Sequence, residues 1–261
     1  MIHPRTGELL PAARPAGTLV LFRDDPAGGP PKLLMMERSA SMAFAAGAAV
    51  FPGGRIDEAD YDFARELQTG LDIDDAAARL GALRETLEET GLAFGIDGKL
   101  GFERVASARK ALHDGAAFSA VCKEYGWTPD LSGLTPWARW RPPNIAPRIY
   151  DTRFYIADAN RLKKDGWVDN TENTSLFWAG AQEVLDRSAR QELQVIFPTR
   201  RNLERLALFN DFESAREHAL AHPVELCLTY VEERDGERYL CIPEGLGYPV
   251  LSEPASTAMH G

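Results

Sequence analysis

The sequence predicts an α/β fold, and three observations carry that reading. Short runs rich in aliphatic, aromatic and β-branched residues alternate along the chain with longer stretches rich in Ala, Leu and Glu. One of those stretches, residues 74–90 (DDAAARLGALRETLEET), has helix signals at both ends. With 261 residues, 44% hydrophobic and 26% charged, the chain can bury a sizeable core and is too ordinary in composition for wholesale disorder. One core carrying insertions is expected rather than two large domains.

The first strand is expected over residues 18–22 (TLVLF). After the turn-forming DDPAGGPPK a second follows over 33–36 (LLMM), the start of a meander or hairpin. AAGAAVFPGG leads into a Gly-Gly turn, and an acidic stretch over 58–67 reads as a helix broken at Thr69-Gly70. The helix over 74–90 opens with acids at the positive end of its dipole and stops at Gly91. At about 100° per residue, Ala76, Leu80, Leu83 and Leu87 form one apolar stripe, while Glu85, Glu88 and Glu89 share another arc. That places the three carboxylates on a charged face, away from the core. Two short helices are expected between 102 and 125, then a loop (GWTPDLSGLTP), a β-rich segment over 148–157 (RIYDTRFYIA), a polar loop over 163–173 and a strand over 174–178. Residues 182–193 and 200–218 read as helices. A hairpin of 224–232 with 238–242, turned about Asp235-Gly236, closes the core before a polar tail expected to be mobile.

Charge and cysteine usage narrow the function classes. The 29 basic and 39 acidic residues leave a net charge of -10, so the molecule as a whole repels a nucleic-acid backbone, and no membrane partner is expected. Cys122, Cys227 and Cys241 are odd in number and far apart, which fits neither a disulfide framework nor a zinc ribbon and points to a reducing compartment. The first 17 residues hold no apolar core of signal-peptide length, so a cytoplasmic protein is expected; a homodimer is left open.

Three carboxylates at i, i+3 and i+4 need an explanation, because like charges about 6 Å apart repel by roughly 3 kcal/mol at an effective dielectric of 20. One reading is a solvated acidic face, where water reduces the cost to a few tenths. The other is a hard-cation site, in which oxygen ligands gather Mg2+ or Mn2+ and the ion removes the repulsion.

The flanking residues favour the second reading. FPGGRIDEAD upstream and RETLEETGL over 84–92 together resemble the Nudix signature, G-x5-E-x7-R-E-U-x-E-E-x-G-U, where U is a bulky aliphatic residue. Arg84, Glu85, Glu88, Glu89, Gly91 and Leu92 match, and Thr86 occupies an aliphatic slot. Counted from Gly54, the first acid is Asp60 rather than Glu, and 23 residues instead of seven separate it from Arg84. Loop-closure entropy tolerates such an insertion, but the sequence leaves open whether Asp60 still reaches Arg84. Coenzyme A diphosphatases of the family carry R-S-x3-R-x3-G-x3-F-P-G-G, and Arg38-Ser39, Gly47 and Phe51-Pro52-Gly53-Gly54 keep that spacing, with Ala43 in place of the second Arg. The long spacer, WARWRPP, YDTRFYIA, Trp178 and FPTRRNLERLA resemble the longer, peroxisomal-type acyl-CoA diphosphatase branch.

The resemblance implies a Nudix α/β/α sandwich over residues 15–250, with a helical insertion at about 99–136, a C-terminal helix and hairpin at about 199–250, and a tail, 251–261. It implies a metal-dependent hydrolase in which Glu85, Glu88 and Glu89, with the Gly53 carbonyl, hold Mg2+ or Mn2+ while Arg84 orients a carboxylate. The implied substrate is a nucleoside diphosphate linked to another moiety, CoA or acyl-CoA first; ADP-ribose, NADH or capped RNA, or a non-catalytic nucleotide-binding module, are the alternatives. Arg38, Gly53, Gly54, Arg148 and Arg153 are the candidate substrate contacts. Glu172, in the polar loop six residues before Trp178, is the candidate general base or a further metal ligand, against the reading of a solvated loop acid. Arg139, Arg141, Arg148 and Arg153 interleave with Trp137, Trp140 and Tyr150, either as phosphate contacts with a stacking surface or as a proline-rich connector with core aromatics and solvated arginines. His218 and His222 have helical zinc spacing, with stabilisation of a helix C-terminus as the alternative.

Overall fold

In the computed structural model, which describes residues 7, 9–39, 47–142, 149–162, 164–168 and 173–258, the run TLVLF lies within β1 (Arg14–Arg23). Leu19 and Leu21 belong to one core cluster, Val20 and Phe22 to another, and all four are buried. A strand apolar on both faces requires cover on both faces. The rest of the chain supplies it.

After β1 the chain forms β2 (Lys32–Arg38), β3 (Ala49–Val50) and β4 (Gly53–Arg55), followed by α1 (Glu58–Leu67) and α2 (Ile73–Thr90). The insertion comprises β5 (Ile96–Asp97), α3 (Phe102–His113), α4 (Phe118–Tyr125) and β6 (Thr128–Pro129). The chain returns to the sheet as β7 (Thr135–Arg141), β8 (Tyr150–Asp158) and β9 (Asn173–Gly180), then forms α5 (Ala181–Ala189), α6 (Phe197–Leu206) and α7 (Phe212–Ala221). It ends in β10 (Leu226–Leu228), β11 (Tyr230–Arg234), β12 (Glu237–Cys241), β13 (Ser252–Pro254) and α8 (Ala255–Ala258). The main sheet has the order β10-β7-β8-β1-β2-β3, with β4 also on β1 and β9 on β2. Its β1–β8 and β7–β10 pairs are parallel and the others antiparallel.

On one face, Leu19, Leu21, Leu34 and Tyr155 pack against Phe63 of α1, the stripe Ala76, Leu80, Leu83 and Leu87 of α2, and Val105 and Phe118 of the insertion. On the other, Val20, Met35, Trp137, Trp140 and Ile156 meet Val184, Leu203 and Ala215 of α5, α6 and α7. The result is the expected three-layer sandwich. Gly17 sets how closely α2 approaches: a Cβ there would stand 2.4 Å from the Ala78 carbonyl oxygen. The three cysteines are buried and free, and among the described residues no helix is long and apolar enough to cross a membrane.

Four elements differ from the sequence reading. The WARWR segment is the strand β7, not a connector. The helix expected over 200–218 is two, because Asp211 caps a new one by accepting from the Ser214 N–H at 2.7 Å. The strand expected over 224–232 divides into β10, which joins the main sheet, and β11, which pairs with β12 about Asp235-Gly236. In the tail expected to be mobile, β13 pairs with β12 and the turn of α8 buries Ala255 and Ala258.

Candidate active site

The site is built around α2. Asp72 starts this helix by accepting from the N–H groups of Asp74 and Asp75 at 3.1 and 3.2 Å, and Gly91 ends it in the left-handed region at φ 66. Arg84 lies in the middle. Its Nε and Nη2 donate to the two carboxylate oxygens of Asp60 at 3.1 and 3.0 Å, and Nη2 also donates to the Arg55 carbonyl at 2.7 Å. Asp60 does therefore reach Arg84 across the long spacer, because α1 folds back on α2 and Gly81 leaves room for the carboxylate. Asp60 is only 1% exposed and also accepts from the Asp57 N–H at 2.9 Å, closing the capping box of α1.

The third nitrogen of the guanidinium, Nη1, donates to Glu85 Oε1 at 2.8 Å and to Glu88 Oε2 at 3.4 Å. Burial opposes the charge on Arg84, but Glu85 and Asp60 more than offset it and hold the guanidinium above its ordinary range. Glu89 turns the other way, accepting from the Gly53 N–H at 2.9 Å and from Asn173 Nδ2 at 3.5 Å. The Gly53-Gly54 turn has to be glycine here. A Cβ on Gly53, whose φ is 156, would meet Gly17 O at 2.5 Å, and one on Gly54 would stand 2.4 Å from the Glu85 carboxyl carbon.

The triad is not the solvated face that helical periodicity predicts. Glu89 is 8% exposed, and the Glu85 and Glu88 side chains are mostly covered. Burial, followed by the neighbouring Glu85 charge, pushes the Glu89 carboxyl well above its usual range; burial and Glu88 raise Glu85 against the pull of Arg84. This surplus of buried negative charge on an all-oxygen donor set suits a hard divalent cation. Among the described residues the carboxylates do not close on one point, since Glu85 and Glu88 turn to Arg84 while Glu89 turns to Gly53.

The other predicted residues divide. Arg38 ends β2 opposite Asn173 of β9, and its charge acts on Glu89. Arg153 is not brought to the triad: its Nη1 lies 3.8 Å from Asp75 Oδ1, ten residues or about 15 Å up the helix from Glu85. Arg148 and Glu172 lie outside the described residues. Trp137 and Trp140 are core side chains, donating to Asn202 Oδ1 at 2.9 Å and Tyr248 OH at 2.7 Å, so they offer no stacking surface. Arg139 is not solvated but forks onto Asp151 with two 2.7 Å bonds, and Arg141 is buried, donating to the Pro11 carbonyl. The His218 and His222 rings stack 4.1 Å apart, and Arg205 Nε lies 3.2 Å from His218 Nε2, a cation where a metal would need to approach. Two residues at the site carried no sequence signal: Asn173, and His113, whose Nδ1 is 3.5 Å from Glu88 Oε1.

Residues 62–206, more than half of the chain, match the NUDT19 Nudix domain family. The chain belongs to that family. It is 25% identical over 250 residues to the acyl-coenzyme A diphosphatase NUDT19 of Gallus gallus, a match covering 75% of this chain and 66% of that protein. It is 24% identical over 267 residues to the protein of the same name from Homo sapiens, covering 82% and 70%. The chain thus spans about two thirds of the length of the curated relatives it matches. The crystal structure of a Nudix hydrolase from Alicyclobacillus acidocaldarius superposes with a TM-score of 0.70 at 28% identity, over 80% of this chain and 97% of that one. Nudix hydrolases use divalent metal ions, and the donor set of this chain is consistent with that chemistry.

Proposed function

We propose that this chain is a divalent-cation-dependent hydrolase that cleaves the diphosphate of coenzyme A or acyl-coenzyme A, releasing 3',5'-ADP and 4'-phosphopantetheine or its acyl form. The observation that carries the reading is the group of buried Glu89 with half-buried Glu85 and Glu88, set by the Arg84–Asp60 pair against the Gly53-Gly54 turn. The names of the NUDT19 relatives and the position of Arg38 beside Glu89 support the substrate class. Mg2+ or Mn2+ supplies charge neutralisation of the diphosphate and a water of lowered pKa. Glu85, Glu88 and Glu89 would hold it, with the Gly53 carbonyl as a backbone ligand. Arg84 keeps the Glu85 and Glu88 carboxylates in place, and Arg38 offers a guanidinium to a phosphate oxygen. Glu172, next to Asn173 in the chain, is the proposed base toward the attacking water. Three buried free cysteines support a reducing compartment, the cytoplasm.

The test is a screen of CoA, acyl-CoAs, ADP-ribose, NADH and dinucleoside polyphosphates with and without Mg2+ or Mn2+, with products identified by mass. CoA cleavage that collapses in Glu89→Gln while the fold persists is expected. Robust ADP-ribose or NADH hydrolysis with intact CoA overturns the substrate class; wild-type turnover in Glu89→Gln overturns the metal site. Glu172→Gln should slow turnover by about 10²-fold if this residue is the base.

A further inference from the structure

We propose that Arg109, on α3 of the insertion, is a positioning residue that holds the Glu88–Glu89 turn of α2 and the adjoining loop at Trp167 in the geometry needed to bind the divalent cation. The inference rests on reading the α2 carboxylates as the cation site. It starts from the end of that helix. The last carbonyls of a helix lack intrahelical partners and carry the negative end of its dipole, and the last turn of α2 has no basic residue of its own. Leu87 O is met by the Gly91 N–H at 2.9 Å. The next three carbonyls are met from outside the helix.

Arg109 reaches two of them. Its Nε donates to Glu88 O at 2.6 Å and its Nη2 to Glu89 O at 2.8 Å, so one guanidinium grips the backbone of two successive cation-site residues. Its Nη1 donates to Trp167 O at 2.9 Å, and the Trp167 N–H in turn donates to Thr90 O at 2.8 Å. The Trp167 ring lies over Gly91, where a Cβ would come within 2.7 Å of it. Arg109 is 4% exposed, leaving little room to relax. Helix end and loop are thereby tied through one side chain, and six residues after Trp167 the chain reaches Asn173, which touches Glu89. A lysine cannot replace this fork, because three donors on one atom cannot span carbonyls on both segments. In this reading the insertion completes the site rather than decorating it.

The experiment measures Mn2+ affinity by calorimetry in the wild type, Arg109→Lys, Glu89→Gln and Leu112→Ala, the last a buried α3 residue whose loss destabilises the same helix without touching α2 carbonyls. Arg109→Lys should bind Mn2+ about 10- to 100-fold more weakly, while Leu112→Ala, at a comparable loss of melting temperature, should bind like the wild type. Affinity within twofold of wild type in Arg109→Lys overturns the inference, as does an equal loss in Leu112→Ala. Undiminished binding in Glu89→Gln means instead that the cation site itself is misassigned. If Arg109→Lys does not fold, hydrogen exchange of the wild type decides. Mn2+ should slow the Trp167 amide together with those at the end of α2; no change at Trp167 overturns the inference.

Discussion

Asp60→Asn removes one charge and almost no volume. Asp60 is 1% exposed and holds the guanidinium of Arg84 through two bonds of 3.1 and 3.0 Å. Breaking a buried ion pair from one side costs about 3–5 kcal/mol, because the surviving charge stays desolvated. Arg84 keeps Glu85 at 2.8 Å and Glu88 at 3.4 Å, so the low end, about 3 kcal/mol, applies here. At about 2–4 °C per kcal/mol for a protein of roughly this size, the melting temperature should fall by about 6–12 °C. Urea unfolding of Asp60→Asn, Arg84→Met and the double variant then gives a coupling energy, expected at about 2–3 kcal/mol. An Asp60→Asn protein melting within about 1 °C of wild type, or a coupling below about 0.5 kcal/mol, would refute the view that this pair anchors α1 to α2.

Gly54→Ala should place a methyl 2.4 Å from the Glu85 carboxyl carbon and drive that carboxylate from its position, lowering the metal-dependent rate about 10- to 100-fold in steady-state assays; an unchanged rate would mean that Glu85 is not a ligand. Stability should also carry a signature of His218, which burial, then Arg205 and the stacked His222, push down from 6.5 to about 4. Between those values the unfolded chain binds the extra proton, so the contribution is complete above pH 6.5 and is lost as pH falls toward 4. After discounting for solvent around a partly exposed ring it amounts to about 1–2 kcal/mol. The difference between urea stabilities at pH 7 and pH 5 should therefore be smaller in His218→Gln; equal differences would sink the assignment.

Local signals were legible where the partner lies close in sequence. The C-terminal end of α2 follows from Gly91 and its acidic opening from Asp74 and Asp75, and its apolar stripe follows from helical spacing, whereas the Asp72 cap and the start at Ile73 were not read from the sequence. The carboxylate triad follows from the same periodicity, but its burial does not, since that depends on β4 closing over it. Asn173 reaches Glu89 from 84 residues away and Arg109 reaches Glu88 from 21, contacts that no local pattern encodes. The β7 strand was hidden by its proline. Pro136 interrupts the pattern, yet it sits where the β7–β8 register shifts, a place in a sheet that tolerates a missing N–H. In the C-terminal third, one apolar periodicity spans two helices, and only the Asp211 cap marks the break between them.

The connectivity also sets an order of assembly. Helices α1 and α2 are neighbours along the chain and dock with a short connection, so their nucleus can form rapidly once both segments exist. The parallel β1–β8 ladder, running from Arg14 opposite Tyr150 to Phe22 opposite Asp158, has to wait for the whole insertion to be made and folded out of the way. During synthesis the helical hairpin stands ready while Leu19, Val20 and Leu21 still lack the strand that closes them off, an interval in which a chaperone, or another nascent chain, competes for β1. Pulse-labelled amides of α2 should accordingly gain protection before those of β8, and the reverse order would place the slow step elsewhere.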